Sequence, residues 1–321
     1  MSCFLYQLQF NTPVHFGGAD SALSLYSSDG HFRADTLFSA LCHTALQLYG
    51  ESGVARLIEL VREEKLRLSD SMPWQKDTLF LPKPYYTAKT KTEQPADKRK
   101  LMKKLAWVPV VRYDEYCSAM KTGTFFSCTP SSFGQSFEVR KVSIPDEGDA
   151  VPYPVGLYHF HEDAGLYFLV ECARETDQQW IGELIGVLGI GGIGGRVSSG
   201  YGKFTVRAAW DVETSEELQC RWLRAALRRD TGCQLLLTTS LPTDGEIHAA
   251  LDGAGFQLVR RAGFIAPGID PAVLRKKQTQ YFLDAGTVLR VRFSGDLYAV
   301  ADHGGHEVYR YSKPLFLGVE L

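Results

Sequence analysis

Residues 189–204 read GIGGIGGRVSSGYGKF and hold seven glycines, two serines, one arginine and one lysine. Glycine lets a backbone approach another group with no Cβ in the way, and bare backbone amides make phosphate ligands. Arg196, Ser198, Ser199 and Lys203 add side-chain donors of the kind that hold a phosphate. Gly189, Gly191 and Gly194 formally satisfy G-x-G-x-x-G, and Asp211 lies downstream where a ribose-binding acid would be sought. A dinucleotide site, however, needs a strand before the glycines and a helix after them, so that the helix N-terminus meets the pyrophosphate. Here the order reads helix, loop, strand. A P-loop cannot be drawn either, because Phe204 follows Lys203. A backbone-lined cradle for a polyanion fits the stretch better than a cofactor loop. Its candidate contacts are Gly191, Gly192, Gly194, Gly195, Arg196, Ser198, Ser199, Gly200, Tyr201 and Lys203.

Charge is concentrated elsewhere. The whole chain has a formal net charge of −2, so its overall electrostatics announce no nucleic-acid partner. Residues 83–112, KPYYTAKTKTEQPADKRKLMKKLAWVPVVR, carry nine basic residues against Glu93 and Asp97, which is +7 locally and leaves −9 for the rest. Charge runs are commonly solvated loops. Here Tyr85, Tyr86 and Trp107 flank the cations, and aromatic faces beside cations are how single-stranded nucleic acid is stacked and held. Lys98, Arg99 and Lys100 are therefore RNA-binding candidates. In the C-terminal third, Arg260 and Arg261 read as solvated surface, as does the triplet Arg275, Lys276 and Lys277 on charge alone. Tyr309, Arg310 and Tyr311 alternate on a strand, so one face packs and Arg310 faces the other way.

Catalysis finds less support. His15 sits in the turn after the first strand, where it could face RNA as an acid or base. His43 falls nearly opposite the apolar stripe of its helix, and His31 has no evident partner. HFHE at 159–162 puts two histidines on one strand face with no third metal ligand in view. No acid–base pair, metal site or cofactor is expected.

The chain has 321 residues, 45% of them hydrophobic, which suits a folded protein of two domains. No apolar run is long enough to span a bilayer, and MSCFLYQLQF lacks the charged start of a signal peptide. Seven scattered cysteines with no C-x-x-C pair read as reduced thiols in a cytoplasm. Phe4, Tyr6, Leu8 and Phe10 alternate as in a strand. ADTLFSALCHTALQLYG places Leu37, Phe38, Leu41 and Ala45 at helical spacing, with Asp35 as cap and Gly50 past the end. Residues 1–210 run strand, helix, strands with long insertions, helix, strand. That is the βαββαβ plan of an α+β, ferredoxin-like fold with helices on one sheet face. DVETSEELQ (211–219) reads as a linker to a second, smaller α+β domain over 211–321.

GIGGRVSSGYGKF after a helix and before a strand resembles the signature loop of the RAMP superfamily of CRISPR RNA-binding proteins. TPVHFGG, RADTLFSAL, LFLPKP, KKLAWVPV, RRAGFIAPG, RKKQTQYF and HEVYRYSKPLFLG resemble, in order from residue 12 to 318, one branch of it. That branch is the subunit of type III-A (Csm) effector complexes that caps the 5′ end of the guide RNA. The resemblance implies tandem ferredoxin-like domains, binding of the crRNA 5′ tag and no catalysis. It also implies two neighbours, the large polymerase-like subunit and the first backbone RAMP subunit. A protruding thumb hairpin is implied within 123–158, with Phe133, Phe137, Arg140 and Lys141 as contacts. Only the resemblance of the segment RKKQTQYF implies that the triplet Arg275, Lys276 and Lys277 contacts RNA or a partner. The other outcome within the superfamily is a metal-independent endoribonuclease that processes precursor RNA.

Overall fold

In the computed structural model the described residues are 1–17, 24–87, 96–144, 149–230, 232–265, 276–303 and 306–321. Residues 96–99 and 303 are described by their backbone alone. The first half opens with β1 (Ser2–Phe10), α1 (Ala34–Tyr49) and α2 (Glu51–Arg62), then β2 (Leu66–Leu68), β3 (Met72–Gln75) and β4 (Thr78–Pro82). The basic segment is partly regular, forming α3 (Ala96–Lys104) and β5 (Trp107–Pro109), followed by α4 (Tyr113–Thr122). Within and just beyond the 123–158 stretch lies one long antiparallel strand pair, β6 (Gly134–Ser143) and β7 (Val151–Phe160), paired along the whole of both strands. Then come β8 (Ala164–Cys172), α5 (Glu175–Gly191) and β9 (Phe204–Asp211).

The main sheet has the order β5-β4-β3-β8-β1-β9, with β2 also on β8, and every pairing is antiparallel. Its β3-β8-β1-β9 part carries the pairing of a βαββαβ unit. β8 is central and apolar on both faces. Leu166, Phe168 and Val170 pack with Tyr6 and Leu8 under α1 and α5, while Tyr167 and Leu169 join Cys3 and Leu5 on the other side. Continuous apolar character of this kind marks a strand covered on both faces.

Leu297 and Tyr311 of the C-terminal part of the chain join the core under α1, and the second face is covered by α4 and by most of that C-terminal part. It comprises α6 (Leu218–Arg228), β10 (Cys233–Leu236), α7 (Ile247–Leu251), β11 (Leu258–Arg261), β12 (Gln280–Leu283) and β13 (Val288–Leu289). β14 (Leu297–His303), β15 (His306–Tyr311) and β16 (Phe316–Val319) complete it. Among the described residues β10 lies between β13 and β16, and the other strands pair as the hairpins β11-β12 and β14-β15. This differs from a second βαββαβ sheet. Strands this short bury little surface of their own, and Leu223, Leu235, Leu237, Leu317 and Val319 share one core with the main sheet. Sheet and C-terminal part therefore stabilise each other.

The junction corrects one expectation from the sequence. Asp35 does not cap α1; the N-cap residue is Arg33, which makes no side-chain cap bond. The open Ala34 N–H at the helix start donates to Asp70 Oδ1 at 2.8 Å. The same buried carboxylate accepts the Thr239 N–H at 3.0 Å and the Thr239 hydroxyl at 2.5 Å, so it ties α1 to the C-terminal part. Burial pushes the Asp70 pKa up to about 6, against the pull of Arg33 and these donors. A folded pKa above the ordinary 3.8 means that the folded state holds the proton more tightly. The stability contributed by this group is fully present below the ordinary value and is lost as pH rises through about 6. Denaturation midpoints measured between pH 4 and 7 should fall on this account, and Asp70→Asn should flatten that fall. An unflattened profile would show that Asp70 is already ionised throughout.

Candidate nucleic-acid interface

The glycine loop joins α5 to β9, the helix–loop–strand order read from the sequence. What its glycines approach is the protein itself. Gly202 has φ +78°, and a Cβ there would lie 2.1 Å from the Ile193 carbonyl oxygen. Gly194 has φ +104°, and its Cβ would meet the His15 carbonyl oxygen and the Phe16 ring at 2.8 Å. Gly192 and Gly195 are closed off in the same way by Tyr201 and His15, whereas Gly191 and Gly200 face open space. The cradle expected from the glycine count is thus mostly an internal packing device.

His15 is corrected with it. The residue is buried, its Nδ1 pairs with the Gly156 carbonyl oxygen at 2.7 Å, and its own carbonyl accepts the Gly195 N–H at 2.8 Å. Its ring supports the loop from beneath instead of facing outward as a free base. The outward side of the loop is polar: Arg196, Ser198, Ser199 and Lys203 are exposed, and Tyr201 is half-buried. The hairpin leans on this side. Lys141 Nζ lies 4.8 Å from the Tyr201 ring centroid, and Arg196 Cζ lies 5.4 Å from that of Tyr153. Phe137 and Arg140 are exposed on β6. Phe133 is mostly buried, edge-on against Phe80 with the centroids 4.9 Å apart, and lies at the base of the hairpin away from Phe137 and Arg140 along β6.

Behind the loop lies a cleft of about 560 Å³, walled by α1, the end of α5, residues 261–264, Lys277 and β15. Among the described residues its charged lining is Arg261, Lys277 and Arg310 against Asp35. Arg261 is no solvated surface residue. Its Nε and Nη2 donate to the two Asp35 oxygens at 2.9 and 2.7 Å, a bidentate pair between the two halves of the chain. Burial by itself would raise the Asp35 pKa, but the charge and hydrogen bonds of Arg261, backed by Arg310 and Arg33, hold it below the ordinary value. Burial lowers the pKa of both Lys277 and Arg310, with Asp35 opposing.

Arg310 is the informative residue. It was expected on an outward strand face, yet it is only 4% exposed. Nη1 donates to the Gln278 carbonyl and to Gln280 Oε1 at 2.9 and 3.0 Å. Nη2 is buried and has no partner among the described residues. Arg33, lining an adjoining pocket of about 100 Å³ with His15, Phe16, Gly194 and Gly195, has a buried Nε in the same condition. Leaving a buried donor unmet costs roughly 1–3 kcal/mol, more for a charged group, so these two donors in adjoining pockets call for acceptors beyond the described residues.

The remaining candidates are dispersed. Lys100 is exposed on α3, where Lys98 and Arg99 lie on the helix with side chains outside the described atoms. Arg275 lies outside the described residues, and Lys276 is exposed with Nζ 5.9 Å from the Phe264 ring centroid. His31 stands edge-on to Trp107 with centroids 5.5 Å apart, and burial beside Arg33 and Arg261 pushes its pKa down to about 3. His43 is exposed at the cleft rim. Among the described residues no group of three or more His, Cys, Asp or Glu could hold a metal ion. No helix among them is long and apolar enough to cross a membrane. Arg33 and Asp35 carried no site signal in the sequence, since a charged pair at a helix start is also what a solvated surface looks like.

The chain is similar to known proteins along its whole length. The family model described as the RAMP superfamily matches residues 7–205, and that described as the CRISPR Csm4 C-terminal domain matches 229–319. A protein named CRISPR system Cms protein Csm4 from Mycobacterium tuberculosis (strain ATCC 25618 / H37Rv) is 32% identical over 321 residues, covering 99% of this chain and 98% of that one. The protein of the same name from Streptococcus thermophilus is 27% identical over 337 residues, covering 100% of both. Two solved structures share the fold. One is in the Csm3-Csm4 subcomplex of the type III-A CRISPR-Cas interference complex, with a TM-score of 0.64, 18% identity and 100% of both chains covered. The other is in a Csm1-Csm4 cassette in complex with cA4, with a TM-score of 0.59, 19% identity and 100% and 99% covered.

Proposed function

The chain belongs to the RAMP superfamily and, within it, to the Csm4 family, and from that premise we propose that it is a non-catalytic RNA-binding subunit of a type III-A CRISPR interference complex. It holds the 5′ repeat-derived tag of the guide RNA in the cleft beside the glycine loop. One observation carries this reading: a cleft and its adjoining pocket whose charged lining is mainly arginine and lysine, where Arg310 and Arg33 each keep a buried N–H with no partner among the described residues. Phosphate and base oxygens are the acceptors that suit a guanidinium fork. Relatives of this fold occur in complexes with Csm1 and with Csm3. On that analogy this chain joins a large polymerase-like subunit to a backbone RAMP subunit in the cytoplasm, each bringing its own share of the RNA path. The histidines support a binding role, since His15 is committed to a backbone carbonyl and His31 to Trp107.

The test is guide retention by the assembled complex. Wild type should copurify with short RNAs that share one 5′ end and should leave them intact on incubation with or without divalent metal. Arg310→Met, which should also lower the melting temperature and is therefore assayed well below it with folding confirmed by circular dichroism, should weaken tag binding by about 10- to 150-fold, the size of a lost charge-assisted hydrogen bond. Absence of RNA, or its cleavage by wild type, would overturn the reading.

A further inference from the structure

A second pocket, of about 330 Å³, lies where the base of the β6–β7 hairpin meets the basic segment. Its walls include His31, Trp107, Phe133 and Tyr158, and Ser131 and Ser132 stand at its edge. We propose that this pocket receives one unstacked nucleobase of single-stranded RNA, held against the faces of Trp107 and Tyr158. The proposal rests on the RNA reading above and extends it to a place that the glycine loop and the arginine cleft do not reach.

Three observations converge on a base as the occupant. The first is chemical. Trp107 and Tyr158 are only half-buried, so their rings are both fixed and accessible. Trp107 is held by its position on β5 and by the edge of His31 at 81°, and Tyr158 by Phe160 at 73°. Aromatic platforms of this kind stack any base, and hydroxyls at the edge can meet its polar rim. Burial keeps His31 neutral and pushes the Tyr158 hydroxyl up to about 12, so neither adds charge to the pocket. The volume is at the small end of ligand pockets, near ~300 Å³, and suits a single planar group.

The second observation is continuity. His31 also lines the pocket of Arg33, and that pocket shares Thr36, Gly194 and Arg261 with the main cleft. One strand can therefore run from the cleft past Arg33 to the aromatic pocket without leaving the protein surface. The third is charge on the far side. Lys103 and Lys104 are exposed at the end of α3, four and three residues before Trp107. Full extension limits them to about 14 Å from it along the chain, so a lysine can reach the phosphate of a base seated there. A base flanked by phosphates fits cations on both sides of an aromatic pocket; a partner's apolar side chain would leave those cations without a role.

The experiment uses the full chain and the RNA that copurifies with its complex, sequenced and resynthesised with one abasic nucleotide at each position in turn. If the pocket holds a base, one position should lose affinity by roughly 5- to 150-fold when the base is removed. Trp107→Ala should show a similar loss on intact RNA, Trp107→Phe should recover most of it, and at that one position the abasic loss should vanish in Trp107→Ala. A flat abasic profile in wild type overturns the proposal whether or not the alanine variant folds. So does a folded Trp107→Ala that keeps the full abasic loss, the result expected if a protein side chain fills the pocket. Arg310→Met separates the two readings: if it loses RNA while the abasic profile is flat, only the base pocket fails, and if wild type binds no RNA, both do.

Discussion

Gly202→Ala should lower the stability of this protein by at least ~2 kcal/mol, whereas Gly191→Ala in the same loop should leave it unchanged or slightly raise it. Gly202 combines φ +78°, which disfavours any Cβ, with a carbonyl oxygen only 2.1 Å from where that Cβ would stand. Its N–H donates to the Pro13 carbonyl, and its own carbonyl accepts from Ile193, so the backbone cannot swing away without breaking both bonds. Gly191 is the last residue of α5 and has nothing within 4 Å of its Cβ position. Alanine there gains up to ~1 kcal/mol of helix propensity. Urea denaturation of the purified variants measures both. A Gly202→Ala protein as stable as wild type but unable to hold RNA would overturn this packing role and make Gly202 part of a ligand cradle.

Asp35→Ala is the second large effect. The carboxylate is 10% exposed and its two arginine partners, Arg261 and Arg310, are 13% and 3% exposed at the side chain. Removing one member of a buried pair strands the other's charge, at a cost of about 3–5 kcal/mol. Asp35→Asn should cost less, because it keeps an acceptor for Arg261. The pH dependence has a definite sign. The folded pKa of Asp35 lies below 3.8, so its contribution is present above that value and is lost as pH falls through the folded one. The gap in melting temperature between wild type and Asp35→Ala should therefore be full at pH 7 and shrink below about pH 4. RNA should act in the opposite direction. With the carboxylate gone the cleft keeps Arg261, Lys277 and Arg310, so a polyanion should bind at least as tightly and restore part of the lost stability. Equal melting temperatures of variant and wild type at pH 7 would show that the bidentate pair contributes nothing.

These expectations differ from those that spacing alone suggests, and the difference lies in particular residues. Gly50 terminates α1 at φ +66° as its type and position indicate, because a helix end needs only local geometry. Asp35, by its type alone an N-cap, is drawn to Arg261 because a guanidinium 226 positions away satisfies both of its oxygens. The cap is supplied by Asp70, which no pattern near the helix start would reveal. In the C-terminal third, β12 and β14 carry no strand signal in the sequence. β14 holds polar and charged residues among its apolar ones, and β12 is a four-residue strand, so neither shows a period that stands out.

What the sequence determined by itself is the order of elements in the first half, the position of the glycine loop between a helix and a strand, and the basic segment with its aromatics. Each is written in a local period or composition, and local backbone preference acts over a few residues whatever the rest of the chain does. The tertiary structure alone decided what those parts face. A glycine signals that something comes close, but it carries no mark of whether that is a ligand or the chain's own His15 and Ile193. Arg33, Asp35, Arg261 and Arg310 become one cleft only because two halves of the chain pack around α1. The partner of a buried charge is set by sheet register and packing between distant segments, and residue spacing along one strand or helix holds no record of either.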